Sequence, residues 1–228
     1  PGRGALTECL LHGGARVTAV EVDPLLSEKL AEVFKNEEGF QIVTADALGF
    51  SFPDLSKKKE KKLKLVANLP YNISGPMLAK LLDERAAFSV MVLMFQKEVA
   101  ERITAGPGTK AYGALSVLTK AYTDARAEFD ISPHLFRPVP KVTSTVVSFR
   151  VLSEPRVPVT DEVLFKRVVK SGFGQRRKTL YNALKMLGAD KATIDKALDE
   201  AGIDGGRRGE TLDLAEFARL ASAFGSLF

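Results

Sequence analysis

Asn68-Leu69-Pro70-Tyr71 stands where an apolar run, Leu63 to Ala67, gives way to a helix-like stretch, Gly75 to Asp83. A buried strand ending in these four residues presents an amide side chain, exposed backbone carbonyls and an aromatic ring at one tip. That set suits a flat base bearing an amino group. The lone pair of an exocyclic amine such as adenine N6 is delocalised into the ring, which makes it a poor nucleophile. Acceptors on both of its hydrogens, Asn68 Oδ1 and the carbonyl of Leu69 or Pro70, draw the nitrogen toward a tetrahedral geometry and turn the lone pair toward a methyl donor. Tyr71 offers a face for a base flipped from its helix at a cost of roughly a few kcal/mol. Taken alone, the four residues read equally well as a strand end with a proline-defined turn.

The surrounding elements decide between these readings. Pro1-Gly2-Arg3-Gly4-Ala5-Leu6-Thr7 runs directly into an amphipathic helix, like the second half of a glycine-rich nucleotide loop, with Gly2 and Gly4 letting the backbone approach a ligand at a helix N-terminus. Arg16 to Val22 reads as a strand ending in Glu21-Val22-Asp23, where Glu21 stands at the position expected to hold a ribose diol. A further strand, Phe40 to Ala45, ends in Asp46-Ala47-Leu48, and Asp46 is placed to accept from an adenine amino group of the donor. Helix capping or a solvated loop explains each acid singly. It explains the ordered series poorly, because carboxylates at successive strand tips line the crevice where open α/β sheets bind cofactors.

The wider pattern alternates. Helix Ala5 to Leu11, strand Arg16 to Val22, helix Pro24 to Phe34 and strand Phe40 to Ala45 make one half of a parallel, doubly wound sheet. After a lysine-rich loop come strand Leu63 to Ala67, a helix from about Ser74, the very apolar strand Ser89 to Phe95, helices Lys97 to Ile103 and Tyr112 to Tyr122, and two antiparallel strands, Ala127 to Ile131 and Ser144 to Val151. Three or four helices follow, over Asp161 to Lys170, Lys178 to Leu187, Lys191 to Ala201 and Asp213 to Phe224. The expected division is a sheet domain over residues 1–152, a proline-containing linker over 153–160 and a small all-α domain over 161–228.

Composition narrows the class. The 228 residues are 45% hydrophobic, enough for one large core and a small appended domain, and the net charge of +5 suits a polyanionic partner. One cysteine, Cys9, excludes an internal disulfide framework and fits a reducing compartment. Beside Leu10 and Leu11 it reads as a core residue. Two histidines and one cysteine give no metal-ligand spacing, so no metal is expected. His12 reads as closing the C-terminus of its helix, and His134 is a weak candidate for catalysis. No apolar run reaches membrane-spanning length and no signal peptide is visible.

Two basic runs stand out. Lys57 to Lys62, interrupted by Glu60, reads either as a solvated loop or as a phosphate track. Arg176-Arg177-Lys178 precedes a helix and reads as an RNA contact or as a structural contact to the sheet domain. Near the second antiparallel strand, His134-Leu135-Phe136-Arg137-Pro138-Val139-Pro140 is a proline-stiffened loop. Phe136 either stacks on a base or pins this loop to the sheet.

These features resemble a known family. Gly2-Arg3-Gly4, Glu21, Asp46, Asn68-Leu69-Pro70-Tyr71, Phe95 to Arg102, Tyr112-Gly113, Phe136 to Val142, Phe173 to Leu180 and Arg208 to Leu212 resemble, in order, the ribosomal RNA adenine N6,N6-dimethyltransferases. The small-subunit branch, whose loss gives kasugamycin resistance, is the most similar. The resemblance implies a class I, Rossmann-like S-adenosylmethionine-dependent methyltransferase sheet with a small C-terminal all-α domain. It implies S-adenosyl-L-methionine held by Gly2, Gly4, Glu21, Val22, Asp46, Ala47 and Asn68, and catalysis by Asn68, Leu69, Pro70, Tyr71 and Phe136. RNA contacts are expected from Arg137, Lys141, Arg176, Arg177 and Lys178. The implied substrate is small-subunit ribosomal RNA within an immature subunit, dimethylated by a cytoplasmic monomer that acts in ribosome biogenesis.

Against the family pattern, the chain is read as N-terminally truncated, lacking the first strand and the segment that helps close the cofactor pocket, so the fragment is expected to bind the cofactor weakly and to lack activity while the intact protein is active. Two alternatives remain: a large-subunit adenine N6-methyltransferase of the macrolide-resistance type, and a non-catalytic assembly or nucleic-acid-binding factor on the same fold.

Overall fold

The computed structural model describes residues 1–137 and 139–227, and the chain divides into two compact units, Pro1–Phe88 and Ser89–Phe228. The first begins with helix α1 (Ala5–His12), strand β1 (Val17–Glu21), helix α2 (Pro24–Val33) and strand β2 (Phe40–Thr44). Strands β1 and β2 are parallel, in register from Val17 opposite Phe40 to Glu21 opposite Thr44. Parallel neighbours require a crossover, and α2 supplies it. Asp23 starts that helix by accepting the N–H groups of Leu25 (2.9 Å) and Leu26 (3.3 Å), while Pro24 fixes the first φ. Leu30 and Phe34 are buried, and the Phe34 ring lies 4.9 Å from that of Phe40. Beneath them Ser27 Oγ meets Thr44 Oγ1 at 2.6 Å.

Helix α3 (Phe52–Lys58) leads to strand β3 (Leu63–Asn68) and helix α4 (Ser74–Asp83). Met77, Leu78, Leu81 and Leu82 of α4 are buried, and Phe52 packs on Phe88 at 5.3 Å. The lysine-rich stretch, read above as a loop, is partly helical. Ser51 Oγ accepts the Asp54 N–H and Pro53 sits in the first turn, so Pro53 starts α3 instead of breaking it. Lys57 and Lys58 fill the last turn, where cations oppose the negative end of the helix dipole. Lys59 Nζ donates to Gln41 Oε1 at 3.0 Å. Cys9, expected in the core, is exposed. Thr7 is the buried residue of α1, and a position two residues on lies about 200° round the helix, on the opposite face.

The second unit holds strand β4 (Phe88–Gln96, whose first residue belongs to the first unit), helices α5 (Lys97–Thr104) and α6 (Ala114–Tyr122), and strands β5 (Thr123–Ile131) and β6 (Ser144–Val151). β6 is antiparallel to both β4 and β5, with a bulge in β5 between Ala127 and Phe129. Met91, Leu93, Phe95, Val147 and Phe149 are fully buried. Helix α6 starts at Ala114 and not at Tyr112, because the Gly113 N–H turns back onto Ser116 Oγ at 3.1 Å. It runs straight into β5, where Thr123 Oγ1 donates to the Thr119 carbonyl at 2.9 Å.

Four helices follow: α7 (Glu162–Gly174), α8 (Leu180–Leu184), α9 (Lys191–Ala201) and α10 (Leu214–Gly225). Their core is shared with α6, since Tyr112, Val117, Ala121 and Tyr122 cluster with Phe165, Val168, Leu180, Ile194, Phe217 and Phe224. The proline-containing segment before α7 is tied down as well. Arg156 N–H donates to the Ala121 carbonyl at 2.8 Å, and its guanidinium engages the Lys120 and Thr123 carbonyls and the Asp124 carboxylate.

Candidate active site

Three of the expected cofactor groups meet at one edge of the β1–β2 pair. Glu21 is the last residue of β1, and its carbonyl accepts the Ala45 N–H at 2.8 Å, so Asp46 follows at the same carboxyl edge of β2. Glu21 Oε2 accepts the Gly2 N–H at 3.1 Å, and Oε1 accepts those of Val22 (3.0 Å) and Asp23 (3.1 Å). Burial pushes this carboxyl up, and the N–H groups of Asp23, Gly2 and Val22 pull it down further, so that it lies below its ordinary 4.5. An ionised carboxylate, with two oxygens and lone pairs to spare, fits a vicinal diol.

The glycine loop is shaped for close approach. Gly4 adopts φ +88, and a Cβ there would stand 2.8 Å from Leu30 Cδ2 and 2.9 Å from Phe34 Cε2. Gly2 also has positive φ, +56, with open space where a side chain would go. Val22 is 65% exposed beside Glu21, and Ala47, half-buried, follows Asp46. Asp46 is exposed, and its Oδ1 takes the Leu48 N–H at 2.9 Å, leaving Oδ2 for an external donor. The residues present fit a nucleoside-bearing cofactor.

Asn68 ends β3 with its side chain exposed, and no hydrogen bond to it occurs among the described residues. Leu69 is buried and anchors the turn. The carbonyl of Pro70 accepts the Ile73 N–H at 3.1 Å, and that of Tyr71 accepts Ser74 Oγ at 3.0 Å. The Leu69 carbonyl has no such internal donor among the described residues. Of the two carbonyls left open by the sequence, it is the one free to serve an external amine. Tyr71 is half-buried.

The remaining predicted residues lie in the second unit. Phe136 is half-buried at the end of a 3-10 turn over Pro133–Leu135, with its N–H on the Pro133 carbonyl at 3.1 Å. The Arg137 guanidinium caps that turn, donating to the carbonyls of His134 (3.1 Å) and Phe136 (3.0 Å). Lys141 is exposed. Pro138 of the same motif lies outside the described residues.

Arg176 donates to the carbonyls of Lys110 (2.9 Å) and Tyr112 (3.3 Å) and pairs with Glu210 at 3.3 Å. This gives Arg176 a structural contact, while Arg177 and Lys178 are exposed. Sequence reasoning missed what this contact belongs to. The buried Tyr112 hydroxyl donates to the Leu212 carbonyl at 2.9 Å, and the Gly108 N–H to the Glu210 carbonyl at 2.9 Å. Burial holds the Tyr112 proton in place far above its ordinary range. The two motifs are each visible in the sequence, and nothing local signals that they pair. Among the described residues no cluster of three or more His, Cys, Asp or Glu could hold a metal ion. None of the helices there is long and apolar enough to cross a membrane.

Comparison with known proteins gives a consistent picture. The family model for ribosomal RNA adenine dimethylase matches residues 1–224. Ribosomal RNA small subunit methyltransferase A of Geobacter metallireducens is 48% identical over 230 residues, covering 100% of this chain and 84% of the relative. The protein of the same name from Magnetococcus marinus is 49% identical over 97% of this chain and 78% of its own length. Among solved structures, a dimethyladenosine transferase from Plasmodium falciparum superposes with a TM-score of 0.79 at 25% identity, covering 99% of this chain and 87% of that one. The 23S rRNA methyltransferase ErmE, at 24% identity, TM-score 0.70 and coverage of 99% and 88%, shares the fold. The fold is therefore that of the Rossmann-like RNA methyltransferases.

Proposed function

The chain belongs to the ribosomal RNA adenine dimethylases, and from that premise we propose that it transfers methyl groups from S-adenosyl-L-methionine to N6 of adenines in small-subunit ribosomal RNA. The observation that carries this reading is the tip of β3, where the exposed Asn68 amide and the unengaged Leu69 carbonyl provide two acceptors one residue apart.

The cofactor, when bound, supplies the methyl group on a sulfonium. Gly2 and Gly4 give its backbone-lined bed, Glu21 takes the ribose hydroxyls, Asp46 takes the adenine amino group, and Val22 and Ala47 cover the ring. Asn68 Oδ1 and the Leu69 carbonyl accept the two N6 hydrogens and localise the nitrogen lone pair. Tyr71 offers an aromatic face to the extruded base. These roles ask for positioning and fixed dipoles and need no strong base, consistent with the neutral amide at position 68. After one methylation, N6 retains one hydrogen for the same acceptors, so a second transfer uses the same groups.

Arg137, Lys141, Arg177 and Lys178 serve the RNA backbone, and Arg176 does so only with whatever charge its contact to Glu210 leaves. On this reading the sheet domain, residues 1–152, performs the chemistry, and the helices of 161–228 help to recognise the subunit. The protein acts as a monomer on an immature small subunit in the cytoplasm. The test is transfer from labelled S-adenosyl-L-methionine to unmethylated small subunits, large subunits and duplex DNA, followed by nucleoside analysis. Dimethyladenosine confined to small subunits is expected, and label in large-subunit RNA or DNA would reassign the substrate.

A further inference from the structure

The net charge of the whole chain sits in one short segment that the scheme above leaves without a task. Of 33 basic and 28 acidic residues, the eight from Lys57 to Lys64 hold six lysines and one glutamate, so the other 220 residues balance at 27 of each sign. Between Asp54 and Asp83 the only acid is Glu60. The segment lies wholly in the first unit, across the end of α3 and the start of β3. It is closed by regular hydrogen bonds. The Glu60 N–H donates to the Lys57 carbonyl at 3.0 Å and the Lys61 N–H to the Ser56 carbonyl at 3.3 Å, with Glu60 left-handed at φ 52. These two bonds make a Schellman closure of α3. Ser56 Oγ braces it further by donating to the Lys61 carbonyl at 2.9 Å.

Helix stability accounts for part of the cluster. Lys57 and Lys58 oppose the negative end of α3, and Lys59 is held by Gln41. Lys61, Lys62 and Lys64 lie beyond the helix and are exposed, and their side chains make no ion pair or hydrogen bond among the described residues. Like charges gathered within a Debye length repel one another, so the cluster costs the free protein stability, and a polyanion relieves that repulsion. We infer that Lys61, Lys62 and Lys64 form a phosphate-backbone site on the first unit, which grips ribosomal RNA away from the target adenine. Strand β3 rises about 3.3 Å per residue, so Leu63, at its start, stands about 16 Å from Asn68 at its tip. The site therefore contributes affinity and leaves the transfer step to the strand tip. The inference rests on the RNA-methylating reading.

The experiment measures the salt dependence of binding to unmethylated small subunits and to a duplex RNA of unrelated sequence. It compares the wild-type protein with two triple variants, Lys61→Gln with Lys62→Gln and Lys64→Gln, and Lys61→Arg with Lys62→Arg and Lys64→Arg. A control, Arg16→Gln with Lys29→Gln and Lys35→Gln, removes the same charge from exposed positions elsewhere in the first unit. Each phosphate contact carries roughly 0.7–0.9 of the slope of log affinity against log salt, so the glutamine triple should flatten that slope by about 2 on both ligands. Binding then weakens roughly 100-fold at about 0.1 M salt and converges with wild type near about 1 M. The arginine triple should keep the wild-type slope, and transfer at saturating subunits should stay within about twofold of wild type in all variants. An unchanged slope, or equal flattening in the control, would overturn the site. Flattening on subunits but not on duplex RNA would also overturn it, by making the partner an acidic protein surface. Absence of dimethyladenosine with the wild-type protein would instead remove the reading on which the site rests.

Discussion

Gly209→Ala provides a severe test of how the C-terminal helices are assembled. Gly209 opens the 3-10 turn Gly209–Thr211 and is buried against α7. A Cβ there would stand 2.1 Å from the Gly172 carbonyl oxygen and 3.2 Å from its Cα. Ordinary contact begins near 3.4 Å, so the overlap with backbone is about 1.3 Å. Helix α7 has little room to recede, because Gly172 faces the Phe217 ring so closely that a Cβ there would meet it at 2.9 Å. Relief therefore requires the turn to lift away. Lifting strains the Gly108–Glu210 and Tyr112–Leu212 hydrogen bonds and the Arg176–Glu210 pair.

Overpacking costs roughly 1–3 kcal/mol and each strained neutral hydrogen bond about 1 kcal/mol, giving a loss of about 3 kcal/mol. For a chain of this size that corresponds to a fall in Tm of about 6–12 °C. Urea unfolding followed by circular dichroism measures it. Gly188→Ala is the control: φ there is +81 but the space is open, so only backbone strain of about 1 kcal/mol is expected. Equal losses in the two variants would refute the overlap argument.

Asn68→Ala should lower the methyl-transfer rate at least about 100-fold, by analogy with removal of one preorganised polar group, while calorimetric affinity for the cofactor falls far less. A parallel collapse of affinity would assign Asn68 to cofactor binding alone. Tyr112→Phe should cost about 1–3 kcal/mol in urea unfolding, since it leaves the Leu212 carbonyl buried without its donor. The Arg207 side chain holds Glu216 below its ordinary 4.5. A carboxylate depressed in the folded state contributes stability above its unfolded pKa and loses it as pH falls through the folded value. Glu216→Gln should therefore flatten the fall in stability below about pH 4.5 and leave the slope near pH 7 unchanged. A wild-type slope below pH 4.5 in the variant would count against the pair.

Much of the element order was legible because local signals agreed. The expected bounds Lys191 to Ala201 and Ser144 to Val151 are those of α9 and β6, and the structure shows α9 closed by the capping Asp190 and the left-handed Gly202. Helix α3 was not recognised, since Phe52-Pro53-Asp54 reads as a loop unless Ser51 is recognised as its cap. Cys9 was misplaced because apolar neighbours in sequence are not neighbours on a helix face. The positions of Glu21 and Asn68 at the ends of their strands were legible, because the strand before each is largely apolar. The engagement of the Pro70 carbonyl by Ile73 was not, because it depends on the path of the turn. The pairing of Tyr112 with Leu212, a hundred residues apart, leaves no periodic trace at all.

The shared core of α6 with α7 to α10 sets an order of events during synthesis. Val117, Ala121 and Tyr122 leave the ribosome before Phe165 of α7 and long before Phe217 and Phe224 of α10, all of which share their core. At roughly 5–20 residues per second, the intervening chain of some ninety residues takes about 5–20 s to appear. For part of that interval α6 has α7 against it but still lacks α10, while β5 and β6 are already available to pair. The nascent chain thus passes through a stage with its strands already made and the apolar face of α6 only partly covered, which is the kind of surface that holdase chaperones bind. Ribosome stalling within α9 would prolong this stage, and the protein's yield in the cell would then depend on the speed of decoding its final third as well as on its final stability.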